Sequence, residues 1–223
     1  MRDFRLSKLS DCVVFFDFDN TITPFDVCDD IIKRFSINED WIKPELAWRK
    51  GKIGSARCLS EQFKSVRISK DELTRYLAQI KIDPYFHRII GILKKDGLKP
   101  VILSDSFSFI ISTILHDNGV TNAEIYANDL KFSKDRLIPS FPNRHLRCRI
   151  CAHCKKKSLL RNKFRDKIIM YVGDGLSDIC PALYSHMVFA KGELLRHFRR
   201  TKRLCIAYRN LEDIYNYFRG LDR

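Results

Sequence analysis

Short apolar runs of strand length alternate with amphipathic stretches along most of this chain. Runs such as CVVFF and IIMYV are bounded by stretches that place apolar residues at helical spacing. Strands that alternate with helices favour a parallel sheet covered on both faces, because each connection crosses back over the sheet. The sequence therefore predicts an α/β fold, a doubly wound parallel sheet with a Rossmann-like core.

The order of the predicted elements follows from these patterns. They are strand CVVFFDF, helix FDVCDDIIKRF, helix PYFHRIIGILKKDG, strand KPVILS, helix FSFIISTILHDNG, strand EIYAN, hairpin DLKFSKDRLIPSF, helix KSLLRNKF, strand KIIMYVGD, helix SDICPALYS, strand MVFA, helix GELLRHF, strand LCIAY and helix NLEDIYNYF. The polar residues Ser133 to Asp135 are predicted as the turn of the hairpin. The charged region from Trp41 to about Ile82 has no strong strand pattern and is predicted to be a helical insertion.

The length of 223 residues allows one buried core with a small insertion. The apolar runs are far shorter than a membrane span, and the N-terminal MRDFRLSKLSD lacks the apolar core of a secretory signal. We therefore expect a globular cytoplasmic protein with no membrane partner. The oligomeric state stays open.

The formal net charge of +14 is of the kind that attracts polyanions. The excess is spread along the chain, with dense patches only at RCRICAHCKKK and RHFRRTKR and no accompanying aromatic motif. Nucleic acid is therefore not expected as the main partner. A nucleic-acid-binding or regulatory protein that uses this basic surface is the alternative to an enzyme.

Three predicted strands end in acidic or small polar residues, in FFDFDNT, VILSDS and MYVGDGLSD. Ligands of such sheets bind beyond the carboxyl ends of the strands, so these residues are expected in one crevice. Four carboxylates would meet there: Asp17, Asp19, Asp174 and Asp178. Their negative charge requires compensation, and oxygen ligands without histidine favour a hard ion such as Mg²⁺, which commonly binds together with substrate phosphate.

The same residues also suit phosphoryl transfer. An aspartate can be the nucleophile and form an aspartyl-phosphate that water then hydrolyses. Backbone amides and the Ser104 hydroxyl could hold the transferring oxygens, while a lysine neutralises the developing charge. Helix capping, the simpler explanation, needs only one side chain per helix and does not account for three such strand ends.

DFDNT, the Ser104 of VILSD, a lysine that precedes a helix, and GDGLSD together resemble the four motifs of the haloacid dehalogenase-like phosphotransferases, in the order of that family. The resemblance covers nearly the whole chain. It implies a Mg²⁺-dependent phosphomonoesterase that hydrolyses a small phosphorylated metabolite through an aspartyl-phosphate intermediate.

The resemblance also implies a role for each motif residue. Asp17 would be the nucleophile and a metal ligand, and Asp19 the general acid and base whose backbone carbonyl helps to hold Mg²⁺. An acid at Asp19 favours a phosphatase over the dehalogenases of the family. Ser104 would bind the phosphoryl group. Asp174 would be a direct Mg²⁺ ligand, and Asp178 would support it or pair with the lysine.

The catalytic lysine is one of three in CKKKS, which are Lys155, Lys156 and Lys157. Lys155 is favoured because related small-molecule phosphatases place this lysine directly after a cysteine and about four residues before an apolar helix position, here Leu159. A solvated charge is the ordinary role of any one lysine in such a basic run.

The phosphoserine phosphatase-like branch of the family inserts a helical cap between the first two motifs. This implies a core of residues 1–23 and 84–223 and a cap of residues 24–83. A cap excludes water and recognises the non-phosphate part of the substrate. The implied substrate-binding residues are Asp26, Thr21, Asp105 and Arg49, with Arg57 as an alternative to Arg49.

Within this branch, the segments WRKGKIGSARCL, ILSDSF, YANDLKF and YVGDGLSD are most similar to the 2-hydroxy-3-keto-5-methylthiopentenyl-1-phosphate phosphatases. The cysteine-rich stretch before the lysine also resembles the phosphoethanolamine/phosphocholine phosphatases. DFDNT has Asn20 where many of the 2-hydroxy-3-keto-5-methylthiopentenyl-1-phosphate phosphatases have glycine.

CRICAHC sets Cys148, Cys151 and Cys154 at C-x-x-C-x-x-C spacing, with His145 and His153 nearby. This density is typical of a structural zinc site, although zinc ribbons usually provide two separated pairs. The family resemblance explains the same stretch as the segment before the catalytic lysine, without a metal. Both interpretations stay open at this point.

Overall fold

The computed structural model describes residues 9–145 and 147–221. Residues 1–8, which include most of the segment examined for a secretory signal, lie outside the described residues. In the part of the chain that is described, no helix has both the length and the apolar character needed to cross a bilayer.

Within the described residues, seven strands form one sheet in the order β4-β3-β2-β1-β5-β6-β7. The strands are β1 (Cys12–Phe16), β2 (Val101–Phe107), β3 (Glu124–Ser133), β4 (Arg136–Ser140), β5 (Ile168–Gly173), β6 (Met187–Ala190) and β7 (Ile206–Ala207). Neighbouring strands are parallel except for the antiparallel pair β3 and β4. The predicted α/β fold with a mostly parallel sheet is confirmed.

Helices connect the parallel strands, as the alternating pattern predicts. They are α1 (Val27–Phe35), α2 (Ile42–Arg49), α3 (Ser55–Gln62), α4 (Lys70–Leu77), α5 (Pro84–Lys95), α6 (Ser108–Asp117), α7 (Lys155–Leu159), α8 (Ile179–Ala182), α9 (Gly192–Arg200) and α10 (Leu211–Leu221). Several begin at residues whose side chains accept a backbone hydrogen bond, for example Asp26 before α1 and Asp83 before α5.

Two predicted boundaries are wrong for a physical reason. The strand EIYAN and the first strand of the predicted hairpin are one continuous strand, β3, whose first half pairs with β2 and whose second half pairs with β4. The predicted helix SDICPALYS is divided into a 3-10 turn over Leu176–Asp178 and the short α8. The turn is tight because the Asp178 carboxylate accepts hydrogen bonds from the N–H groups of Asp174 and Gly175.

The helix predicted for KSLLRNKF is also shorter than expected. Helix α7 ends at Leu159, and a separate 3-10 turn follows over Asn162–Phe164. The predicted hairpin turn is present between β3 and β4, where Lys134 adopts a φ of 54°.

The central strand β1 pairs with β2 on one side and with β5 on the other. The chain crosses first to the β2 side and later to the β5 side, so the order of the strands reverses at β1. A crevice opens at such a switch point, beyond the carboxyl ends of the strands. The N–H of Asp17 donates to the carbonyl of Val172 at 2.8 Å and extends the β1–β5 pairing to the edge of this crevice.

Helices α1 and α4 and the end of α3, which lie between β1 and α5 in the chain, contribute buried residues to the sheet's main apolar cluster, whereas α2 has no buried residue. Ile31 of α1 and Leu73 of α4 are buried in one cluster with Phe16 of β1. The ring of Phe63, at the end of α3, contacts the ring of Phe107 in β2 with centroids 5.2 Å apart. The predicted helical character of this region is therefore present, and its boundaries as a cap, 24–83, stay a prediction.

The turn between α2 and α3 lies directly against the segment that leads to α7. The N–H of Ser55 donates to the carbonyl of Ile150 at 2.7 Å. A Cβ atom at Gly54 would lie 1.7 Å from the carbonyl oxygen of Arg149. Because that oxygen belongs to backbone and cannot swing away, only glycine fits at position 54 without a shift of the segment.

The substitution Gly54→Ala is expected to lower the free energy of unfolding by about 2 kcal/mol, the usual cost of forcing an extra methyl group into a packed contact. The matched control is Gly91→Ala, an exposed site in α5 with nothing within 4 Å of the added Cβ. That change should stabilise the protein by about 0.5–1 kcal/mol through helix propensity. Urea denaturation of both variants checks the contact, and equal stabilities would contradict it.

Candidate active site

Asp17 follows the last residue of β1 and faces the crevice at the switch point. Its side chain is buried, and Oδ1 accepts a hydrogen bond from Lys155 Nζ at 2.8 Å. Burial raises the pKa of Asp17 well above its ordinary value, and the charge of Asp178 raises it further, whereas Lys155 lowers it. The crevice thus concentrates negative charge around Asp17, and a buried ammonium group partly compensates this charge.

Lys155 is that cation. It is the first residue of α7, is 2% exposed, and donates to Asp17 Oδ1 at 2.8 Å and to Asp178 Oδ1 at 2.7 Å. Burial lowers the pKa of Lys155, but Asp17 and Asp178 raise it by more, so the ammonium stays charged. Of the other two lysines, Lys156 lies over the ring of Tyr184 and Lys157 is exposed.

Asp178 has both carboxylate oxygens engaged. Oδ1 accepts from Lys155 Nζ and from the hydroxyl of Tyr171 at 2.6 Å, and Oδ2 accepts from the N–H groups of Asp174 and Gly175, each at 2.9 Å. Burial opposes ionisation, but the ammonium and these donors hold the pKa of Asp178 below its ordinary value. Through these bonds Asp178 fixes the Lys155 ammonium and the loop that follows β5.

The carboxylates suit a hard metal ion. Asp17, Asp174 and Asp178 each place one oxygen so that the three oxygens lie within 4.8 Å of one another. Burial and the charge of Asp178 raise the pKa of Asp174 to about 6, and its Oδ1 has a long contact of 3.4 Å from the Thr21 hydroxyl. Because Asp178 is occupied by four protein donors, Asp17 and Asp174 are the carboxylates left with capacity to bind Mg²⁺.

Asp19 lies on the turn beyond Asp17. Its Oδ1 accepts a hydrogen bond from the N–H of Val27 at 2.8 Å, at the start of α1. Burial, and then the charge of Asp26, raise the pKa of Asp19 well above its ordinary value. A carboxyl group in this environment is suited to carry a proton.

The turn itself is built around the carbonyl of Phe18, which accepts from the N–H groups of Thr21, Ile22 and Thr23. Asn20 in this turn has a φ of 56°. Glycine adopts such left-handed backbone freely, and asparagine tolerates it better than most residues. Asn20 therefore suits the left-handed backbone that this turn requires.

Ser104 lies within β2 instead of at its end, which corrects the expectation from the sequence. Regular pairing of β2 with β3 stops at Leu103, and the register then shifts until Phe107. The segment between these residues turns toward the crevice. The buried Ser104 hydroxyl lines the cavity and accepts a hydrogen bond from the N–H of Ser106 at 3.0 Å.

Asp105 links β2 to the segment before Lys155. Its Oδ1 accepts from the N–H of His153 at 2.9 Å, and its backbone carbonyl accepts from Asn128 Nδ2 at 2.6 Å. Burial raises the pKa of Asp105, while Lys155 opposes this shift. Asp105 also lines the cavity, so its predicted role in substrate binding stays a prediction beside this structural one.

A cavity of about 700 Å³ joins these residues to the helices above the sheet. On the side of α1 to α3 its lining includes Asp26, Asp29, Glu45, Trp48, Arg49, Cys58, Leu59 and Gln62. The exposed Arg49 donates through Nε to Glu45 Oε1 at 2.7 Å. Asp26 caps α1 and accepts from the N–H of Asp29 at 2.8 Å.

Thr21 and Arg57 are placed differently from the other predicted substrate-binding residues. The buried Thr21 hydroxyl lies 3.4 Å from Asp174 Oδ1 and 3.4 Å from the hydroxyl of Tyr208, so it contacts the carboxylate loop. Arg57 is exposed on α3 and does not line the cavity.

The sequence did not identify Tyr171, Tyr208 or His153 as part of the site. The hydroxyl of Tyr171 binds Asp178, and that of Tyr208 lies 3.4 Å from the carbonyl of Gly173. Both tyrosines are in apolar patterns that predict packing, and only the position of their hydroxyl groups in space shows the second role. The position of His153 directly before CK was the available signal in its case.

The cysteine cluster does not form a closed metal site. Within residues 9–145 and 147–221, Cys148, Cys151 and Cys154 do not bring three ligand atoms within 4.8 Å together with each other or with nearby histidines. All eight cysteines are free thiols. The fully buried His153 is instead joined through Nε2 to Ser158 Oγ at 2.8 Å.

The chain is similar in sequence to known phosphatases. The family model described as Putative Phosphatase matches residues 12–190. The chain is 26% identical over 191 residues to the 2-hydroxy-3-keto-5-methylthiopentenyl-1-phosphate phosphatase of Bacillus cereus, covering 82% of this chain and 84% of that protein. It is also 26% identical over 205 residues to the bifunctional enzyme MtnB/MtnX of Bacillus licheniformis, of which it spans 47%.

Solved structures share the same architecture. A substrate-bound phosphoserine phosphatase superposes with a TM-score of 0.70 at 19% identity, covering 92% of this chain and 97% of that chain. The phosphoserine phosphatase from T. onnurineus gives a TM-score of 0.67 at 18% identity, over 93% and 94% of the two chains. At this identity the likeness concerns the fold.

His153 makes a testable contribution to the pH dependence of stability. Burial, and then the charge of Lys155, lower its pKa from 6.5 to about 4, so the folded protein holds the ring neutral while the unfolded chain binds a proton. The contribution of the neutral His153 ring to the free energy of unfolding is therefore full above pH 6.5 and is lost as the pH falls toward 4. At pH 5 the loss is about 2 kcal/mol.

We expect His153→Gln, which cannot titrate, to lose about 2 kcal/mol less than the wild type between pH 7 and pH 5. Urea denaturation at both pH values measures this difference. The same loss in both proteins would show that the imidazole does not titrate with a lowered pKa.

Proposed function

The chain belongs to the Putative Phosphatase family, and we propose that it is a Mg²⁺-dependent phosphomonoesterase that forms an aspartyl-phosphate on Asp17. The predicted haloacid dehalogenase-like phosphatase of the phosphoserine phosphatase-like branch is confirmed at the level of family and fold. The proposal adds the metal, the intermediate, the roles of the residues and the predicted cytoplasmic location.

The observation that carries the proposal is the Asp17 carboxylate, held at the carboxyl end of β1 with the Lys155 ammonium 2.8 Å from Oδ1. One oxygen of Asp17 attacks phosphorus, and the bond from phosphorus to the ester oxygen breaks. Asp19 gives its proton to that leaving oxygen. Asp19 then takes a proton from water, whose oxygen attacks phosphorus and releases Asp17 and inorganic phosphate.

The residues that would hold Mg²⁺ are the Asp17 and Asp174 carboxylates and the backbone carbonyl of Asp19. These are hard oxygen donors, as this ion requires, and the two carboxylates already lie near each other. When bound, Mg²⁺ offsets the negative charge of the phosphoryl group and of the carboxylates. Asp178 acts by holding Lys155 and the loop that carries Asp174.

Lys155 and Ser104 bind the transferring group. The buried ammonium neutralises charge on the phosphoryl oxygens, and burial makes this interaction stronger than it is in water. The Ser104 hydroxyl, at the register shift of β2, donates to a second oxygen. Neither group has to move into place, because both are fixed by buried contacts.

Residues 24–83 are proposed as the cap that recognises the alcohol part of a small phosphorylated metabolite. Asp26 and Arg49 line this side of the cavity. Arg49 is paired with Glu45, whereas the Asp26 carboxylate accepts from the N–H of Asp29 and also lines the cavity. Candidate substrates from the names of the relatives are 2-hydroxy-3-keto-5-methylthiopentenyl 1-phosphate and phosphoserine, to which phosphoethanolamine and phosphocholine are added by resemblance.

With p-nitrophenyl phosphate and Mg²⁺, we expect hydrolysis that Asp17→Asn reduces at least about 1,000-fold, since loss of the nucleophile removes the covalent path. EDTA should abolish the activity, and added Mg²⁺ should restore it. Asp166→Asn, at an exposed site away from the crevice, is the matched control and should be unchanged. Full activity in Asp17→Asn would refute the mechanism.

Asp26→Asn is expected to change substrate selection, because asparagine keeps the helix cap but removes the charge. In a screen of phosphorylated metabolites, kcat/KM for the best substrate should fall about tenfold or more. The fall in kcat/KM for p-nitrophenyl phosphate should be smaller but not absent, because burial and then the charge of Asp26 raise the pKa of Asp19. An equal loss on both substrates would assign Asp26 to the chemistry instead of to recognition.

A further inference from the structure

The start of α7 is not stabilised by the usual features of a helix N-terminus. Its N-cap residue, Cys154, makes no side-chain capping bond. Lys155, Lys156 and Lys157 fill the first turn, where the helix dipole disfavours positive charge. A helix of five residues also has little cooperative stability of its own. The position of the Lys155 backbone must therefore be fixed from outside the helix.

His153 supplies three such fixed contacts. Its N–H donates to Asp105 Oδ1 at 2.9 Å, which ties it to β2. Its carbonyl accepts from the N–H of Lys155 at 2.9 Å. Its ring Nε2 is hydrogen-bonded to Ser158 Oγ at 2.8 Å, which joins the residue before the helix to the first turn of the helix. The side chain is 0% exposed.

We propose that His153 is a positioning residue, whose Nε2 bond to Ser158 holds the first turn of α7 so that the Lys155 ammonium stays between Asp17 and Asp178. The inference rests on the proposed function in so far as Lys155 acts on the phosphoryl group. It adds a residue outside the reacting groups that sets the geometry of one of them.

The position of the ammonium is sensitive to this contact. Lys155 Nζ lies 2.8 Å from an oxygen of one carboxylate and 2.7 Å from an oxygen of the other, and both bonds are buried. A displacement of about 1 Å at such a site can cost about 100-fold in rate. If the ring contact is lost, the helix keeps backbone bonds such as that from Ser158 N–H to the Cys154 carbonyl, but it loses its side-chain link to the segment fixed on β2.

Two substitutions of His153 distinguish the effect of its hydrogen bond to Ser158 from the effect of its packing volume. The side-chain amide of glutamine reaches the position of Nε2, whereas that of asparagine reaches only the position of Nδ1 and so cannot bond to Ser158 Oγ. With p-nitrophenyl phosphate, His153→Gln should keep kcat within about threefold of the wild type, while His153→Asn should lower kcat at least about tenfold with KM within about twofold. Equal kcat values for the two variants would overturn the proposal.

Ser158→Ala removes the other partner of the same bond. It should lower kcat as His153→Asn does, and the double variant should show no further loss, because both changes remove one contact. Multiplied losses in the double variant would overturn the proposal. His186→Ala is the control, since His186 Nδ1 binds the N–H of Ile169 at the far end of β5, and its kcat should be unchanged.

Failure of the proposed function is distinguished by a measurement that needs no activity. If the wild type hydrolyses no phosphomonoester with Mg²⁺, the proposed function fails, and the positioning role is then tested by thermal unfolding of His153→Asn, Lys155→Met and the double variant. Coupling through one contact predicts that the shift in Tm of the double variant is smaller than the sum of the single shifts. Additive shifts would overturn the inference.

Discussion

The buried ammonium of Lys155 between Asp17 and Asp178 is the interaction on which the rest of the site depends. It joins three segments far apart in the chain, the end of β1, the start of α7 and the turn after β5. Buried charges are costly unless each is paired and fully hydrogen-bonded, and here the pairing is completed by Tyr171 and by backbone N–H groups. The sheet order matters because it places these strand ends side by side.

Division of labour among the carboxylates follows from their partners. Asp178 has its hydrogen-bonding capacity filled by protein donors, while Asp17 and Asp174 keep capacity for a cation and burial and the charge of Asp26 raise the pKa of Asp19. Four residues of the same type thus differ in hydrogen-bond partners and in pKa because of what surrounds them, and the proposed roles follow these differences. This contrast is what one expects of a site for phosphoryl transfer, in which one carboxylate attacks and another moves protons.

The fold and the acidic strand ends were predictable because both leave periodic or local patterns, such as the strand CVVFF followed by Asp17. The extension of β2 beyond Ser104 was not, since the register shift against β3 depends on tertiary packing. The structural role of Asp105 and the hydrogen-bond partners of Tyr171 and His153 were also hidden. A tyrosine or histidine in a buried pattern predicts packing alone, and the partner of its polar atom comes from a distant part of the chain.

The contact between the α2–α3 turn and the segment before α7 has a consequence for how the molecule opens. The bond from Ser55 to Ile150, and the absence of a side chain at Gly54, bring the helices over the cavity against the same backbone that leads to Lys155. Local opening of a protein proceeds in contiguous cooperative units. The amide protons of α3 and of the start of α7 should therefore exchange with solvent as one unit. Lys155 would then lose its fixed position whenever α2 and α3 open locally.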